Sequence, residues 1–235
     1  MRAVRAVPLA FAALLASVAC GGGGDGGGSS PTTTLDGTVL DYWSGLPVPG
    51  AAVGGGGQVG NTIADGTGDY SFATVPQNGG VQLTASKAGY HSTRNESIQV
   101  GTTPVSADIY IAALADIARQ YAAVGVTAAP DSVEVIVTLD DAGTPRVGLP
   151  LSSIVLLDSG NDTVGVGPFV VGAAGDIVPT GTLNTTTSFG GRSRVAFLNV
   201  PVGRLTLHVE IPPPNAATLT VPVTGSTNGV VLVRR

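Results

Sequence analysis

The sequence predicts an all-β protein, two tandem β-sandwiches joined by one short helix, and three observations carry that prediction. Short segments of alternating polarity are separated by Gly, Pro and Asp turns, which is how antiparallel strands with one buried face read in a sequence. The strand and turn pattern of residues 35–111 returns further along the chain, from Ser132 onward. Between the two copies the apolar spacing changes once, from two to three and four.

The leader comes first. Met1–Arg5 carries two arginines and residues 6–19 are apolar but too few to span a bilayer, so residues 1–19 are expected to be a secretory signal. Cys20 is the chain's one cysteine, so no intrachain disulfide and no multi-cysteine metal site can form. Ser17-Val18-Ala19-Cys20 is similar to the lipobox of bacterial lipoproteins, although Ser17 stands where Leu is usual. That resemblance implies lipidation at Cys20. Ser17-Val18-Ala19 equally suits ordinary signal cleavage, which would give a soluble periplasmic or secreted product. Glycines and serines dominate residues 21–30, and residues 20–34 are therefore expected to form a flexible tether behind the anchor.

The first copy begins near Asp36. Val81, Leu83 and Ala85 alternate with Gln82 and Thr84, placing the apolar three on the core face, and Tyr70 and Phe72 share a side in the same way. Val75-Pro76 ends its strand, because proline cannot donate to a central ladder. Gly45-Leu46-Pro47-Val48-Pro49-Gly50-Ala51-Ala52-Val53 followed by Asp65 to Phe72, an Asp-x-x-Gly-x-Tyr-x-Phe run, closely resembles the carboxypeptidase regulatory-like domain, a transthyretin-like (prealbumin-like) sandwich. The resemblance spans residues 35–111. It implies an Ig-like module of about seven strands without catalytic machinery of its own.

Residues 112–131 are expected to form a helical connector. Leu114, Ile117, Tyr121 and Val124 fall at helical spacing, and Gly125 follows as a stop. In the second copy, residues 132–235, Gly143, Pro145, Gly148 and Leu151 repeat Gly45, Pro47, Gly50 and Val53 at an offset of 98. Val195, Phe197, Val200 and Pro201 repeat Tyr70, Phe72, Val75 and Pro76 at an offset of 125. The offsets differ by 27 residues, so the second sandwich is expected to be expanded by a hairpin or long loop within residues 158–191. Leu205, Leu207 and Val209 then alternate with Thr206 and His208, and residues 212–214, three prolines, break the chain before the next strand. Cleavage in the connector is expected to release two folded pieces.

Composition restricts function. Only 11% of residues are charged and the net charge is -5, or -7 once Arg2 and Arg5 leave with the signal, which speaks against nucleic-acid partners. There is no Gly-x-Ser-x-Gly elbow, His-Glu-x-x-His or P-loop, and the two histidines, His91 and His208, lie in different copies. Gly55, Gly57 and Gly60 satisfy Gly-x-Gly-x-x-Gly but precede a strand, so they read as a hairpin loop. Asp65 with Asp69, and Asp158 with Asp162, invite calcium, yet turn formation by short Asp side chains is the stronger account. Catalytic residues, metal ligands and cofactors are accordingly not expected. Cna-B domains share a similar sandwich and can carry a Lys–Asn isopeptide crosslink; the single lysine, Lys87, is expected at the surface, which gives no crosslink.

Tyr42 and Trp43, in the turn after the first strand, are the candidate ligand-binding residues, since an aromatic pair can stack on a sugar or anchor a protein. The alternative is that a ring folds back over the end of the sandwich. The expected function is a non-enzymatic cell-envelope lipoprotein, attached to the membrane (by preference the outer one) through its lipid, serving as a spacer or interaction module. Its partners would be envelope proteins or glycans, and a carbohydrate- or small-ligand-binding accessory protein is the second reading.

Overall fold

The computed structural model describes residues 30–56, 59–141, 143–179, 184–213, 217–225 and 229–234. Cys20, the expected signal and most of the expected tether lie outside these residues.

The first unit contains β1 (Thr32–Asp41), β2 (Ala52–Gly54), β3 (Asn61–Ile63), β4 (Asp69–Pro76), β5 (Gly79–Ser86), β6 (Tyr90–Val100), β7 (Val105–Ser106) and β8 (Ile109–Ala113). Strand β1 pairs antiparallel with β4 and parallel with β7 and β8, and this layer faces β3-β2-β5-β6. Val81, Leu83 and Ala85 do point inward, with Tyr70, Phe72 and Leu35 opposite them in one apolar core. The predicted helix, α1 (Leu114–Ala123), follows. It stops where expected: the N–H of Gly125 bonds the Ala122 carbonyl and that of Val126 bonds the Tyr121 carbonyl, the paired closure of a Schellman motif.

The second unit contains β9 (Ser132–Asp141), β10 (Thr144–Pro145), β11 (Ile154–Leu157), β12 (Val166–Val170), β13 (Ser193–Pro201), β14 (Gly203–Ile211), β15 (Ala217–Gly225) and β16 (Gly229–Arg234). Its topology repeats the first. As β1 pairs with β4 and β8, so β9 pairs antiparallel with β13 and parallel with β16. As β5 lies between β2 and β6, so β14 lies between β11 and β15. The turns repeat as well: Gly45 and Gly143, and Gly50 and Gly148, all have φ between 68° and 89°, a region costly for residues with a Cβ. Within the extra residues β12 pairs with the edge of β13, a strand that the first unit has no counterpart for.

Strand β16 departs from the expectation of two separable pieces. It pairs parallel with β9 on one side and with β6 on the other, through Val230↔Thr93 and its neighbours. One hydrogen-bonded path of eight strands, β12-β13-β9-β16-β6-β5-β2-β3, therefore runs through both units, and β8 also joins β6 through Tyr90↔Ala113 and His91↔Ala112. Ladder partners share a sheet face, so Glu134, Val230, Thr93 and Ala85 form a row on the same side. Ala85 belongs to the first core, whereas Val133, Val135 and Val137 point the other way into the second core. The β4-β1-β8 layer and the β11-β14-β15 layer thus cover opposite faces of the common sheet. What remains on the first face, behind the second unit, is covered by α1 and the turn after β1.

Candidate functional site

Tyr42 and Trp43 are placed by Asp41, which is itself buried. One of its carboxylate oxygens, Oδ1, accepts the N–H of Trp43 at 3.2 Å and the N–H and hydroxyl of Ser44 at 2.7 Å each, and the Tyr42 N–H reaches the Ile111 carbonyl at 2.9 Å. A short Asp side chain bonding backbone two and three residues on is a standard turn device. Here it aims both rings at the second unit. Tyr42 is buried in edge-on contact with Trp43, Tyr110 and Phe189, at ring-centre distances of 4.9, 6.1 and 5.4 Å. Arg194 lies over the Phe189 ring at 3.9 Å and near that of Tyr42 at 5.4 Å, a cation–π arrangement. Burial pushes the Tyr42 phenol up to about 12, against the pull of Arg194.

Trp43 is half-buried, and its Nε1 donates to the Gly175 carbonyl oxygen at 2.8 Å. That same oxygen accepts Gln120 Nε2 of α1 at 2.8 Å, and Gln120 Oε1 accepts the Ile177 N–H at 2.6 Å. The two segments held here, α1 and the Gly175–Ile177 stretch of the insertion, close over Ile136, Ala196 and Leu198 of the sheet. Gly175 is required twice over: its φ is +86°, and a Cβ would stand 2.8 Å from Trp43 Cδ1. The aromatic pair anticipated as a ligand platform makes contacts within the protein at the junction of the units: Trp43 Nε1 bonds the Gly175 carbonyl, and the Tyr42 ring is buried against Trp43, Tyr110 and Phe189.

Sequence reasoning did not single out Gln120, Gly175, Arg194 or Glu134, all of which meet this junction. A polar residue on the buried stripe of an amphipathic helix was the available signal for Gln120. Glu134 lies within the apolar run from Val133 to Val137, where alternation reads it as a solvent-facing position. It is instead 2% exposed, and neither carboxyl oxygen has a hydrogen-bond partner among the described residues. Burial alone pushes its carboxyl up to about 8.

The acidic turns resolve in favour of backbone capping. Asp65 Oδ1 accepts the N–H groups of Thr67 and Asp69 and the Thr67 hydroxyl, and hydrogen bonds from Thr67 lead in holding this carboxyl below its ordinary range. Asp158 Oδ1 accepts the N–H groups of Gly160 and Asp162 in the same i+2, i+4 pattern. Among the described residues no three His, Cys, Asp or Glu side chains gather as a metal site, and no helix is long and apolar enough to cross a membrane. Lys87, expected at the surface, is half-covered and donates to the Pro49 carbonyl at 2.6 Å. Beyond Arg94 and Val231 the strands β6 and β16 part, leaving a cleft of about 440 Å³ between Gln82, Arg94, Ser97 and Val233.

Residues 34–112 match the family model of the carboxypeptidase regulatory-like domain, in agreement with the resemblance carried by Gly45 to Phe72. No curated protein matches the chain. Solved structures with a similar course of chain include the Bacillus anthracis TIE protein, at 15% identity and a TM-score of 0.28, covering 87% of this chain and 34% of that one. A streptococcal ancillary pilin has 16% identity and a TM-score of 0.28, covering 87% and 62%, and the minor pilin of Streptococcus agalactiae has 13% and 0.28, covering 86% and 94%. This chain thus spans about a third of the first and less than two thirds of the second. Likenesses at that level carry nothing about function.

Proposed function

We propose that this chain is a non-enzymatic module of the bacterial cell envelope, exported, attached through a lipid on Cys20, and holding its two sandwiches off the membrane as one stiff spacer for protein contacts. The carrying observation is β16. A strand hydrogen-bonded into both units makes them one body, as a spacer requires, where two sandwiches on a free linker would swing independently. The junction adds to this, since Trp43, Gln120 and Gly175 tie the turn of the first unit, the connecting helix and the insertion of the second. A non-catalytic role is supported by the match of residues 34–112 to a domain described as regulatory-like. The anchor rests on the sequence: a basic and apolar leader, the one cysteine directly after it, and glycines that let a tethered body clear the surface. Stable attachment needs more than one acyl chain, at about 0.8 kcal/mol per buried methylene. Mass spectrometry of the mature N-terminus and detergent phase partitioning test the reading. A diacylated or triacylated Cys20, with Cys20→Ala releasing a folded soluble protein, is the expected result; an unmodified Cys20 on a water-soluble native protein would contradict it.

A further inference from the structure

The role of Glu134 goes beyond that reading and does not depend on it. This residue lies on the sheet face that α1 and the Tyr42–Trp43 turn close, in the middle of β9, with Val230 as its ladder partner and the irregular Leu198–Asn199 stretch of β13 on the other side. A buried carboxylate without hydrogen bonds is among the costliest groups that a fold can hold, whereas the neutral acid is tolerable. The groups around it offer no relief. From α1 the titratable neighbour is Tyr121, whose hydroxyl accepts the Asn199 N–H at 3.1 Å, and from the turn it is Tyr42. Both are phenols that burial and Glu134 itself keep neutral. The cation on this face of β13, Arg194, pairs with Thr138, four positions further along β9, and is engaged with Phe189. Strand β16 presents Val230 and Leu232, and on β6 the nearest titratable position of this face is His91, beyond Thr93.

We propose that Glu134 makes this layer a proton-dependent latch: α1 and the Tyr42–Trp43 turn seat on the β9–β13–β16 sheet over a neutral carboxylic acid, and the layer loosens when that acid ionises. The direction follows from linkage. With the latch open the acid titrates at its ordinary 4.5, and with it closed at about 8. Between these values the closed form holds a proton that the open form has released, so closure weakens tenfold for each pH step. Closure is fully favoured below pH 4.5, loses on the order of a thousandfold by pH 8 and levels off above it.

Hydrogen exchange of the full chain between pH 5 and 9, corrected for the intrinsic rate, tests the latch. The amides of α1 should lose protection by tens of fold or more relative to those of β14, and Glu134→Gln should abolish that difference in pH response. If Glu134→Gln does not fold, Glu134→Met serves as the neutral variant. Equal losses in α1 and β14, or a variant that follows the wild-type pH curve, would overturn the proposal.

Discussion

Gln120 and Gly175, 55 residues apart in sequence, are joined by a 2.8 Å hydrogen bond from the Gln120 amide to the Gly175 carbonyl, and the same amide accepts the Ile177 N–H through its oxygen. With 1% of its surface exposed, Gln120 acts as a buried polar clamp between α1 and the insertion. Replacing it with Ala would leave a buried N–H without an acceptor, at a cost of about 1–3 kcal/mol. A thermal melt of Gln120→Ala should show that loss as a clear drop in Tm. A change no larger than that of an exposed helix substitution such as Ala118→Gln would remove the clamp from the account.

Gly175→Ala should be more damaging than a glycine substitution in an open turn, because the new Cβ meets the Trp43 indole while φ is positive. The backbone conflict alone is expected to cost about 1 kcal/mol or more. Trp43→Ala removes the indole but not the φ requirement. A double-mutant cycle should therefore give a coupling energy of at least about 0.5 kcal/mol, the lower end for residues in contact. Strict additivity would mean that the two residues do not touch in solution.

How much of this was legible in the sequence depends on whether a feature is local. Strict alternation marked the inward residues of β5 and β14, and helical spacing with Gly125 marked α1, since in each case the pattern reflects one element against one core. The repeat offsets indicated that the units share a topology, and β12 falls within the residues by which they differ. What could not be read was the partnership of β16. Its run from Val230 to Val233 is apolar without alternation, which signals a strand buried on both faces, but no pattern within a strand names the strands beside it. The surroundings of the Tyr42–Trp43 pair were not legible for a similar reason, since the residues that meet it come from the neighbouring unit.

Calcium should leave the protein's stability unchanged. The Oδ1 atoms of Asp65 and Asp158 are already engaged by backbone N–H groups in their turns, so adding millimolar calcium or a chelator is expected to shift the Tm by less than the measurement error. A rise with calcium that disappears in Asp65→Ala or Asp158→Ala would show that these turns open to bind a cation.

Removing β16 should harm both units. Truncation after residue 228 exposes the edges of β6 and β9 together, so amides of β6 in the first unit should lose hydrogen-exchange protection alongside those of β9. Loss confined to β9 would mean that the first unit is indifferent to the shared strand.

Cutting the connector tests the shared sheet most directly. A protease site placed in the exposed stretch between Thr127 and Pro130 severs the chain without touching α1 or any strand. With β16 paired into both units and the Gln120–Gly175 junction intact, the two fragments should co-elute from a size-exclusion column as one species of unchanged volume until denaturant is added. Their separation into two folded pieces under native conditions would contradict the single continuous sheet.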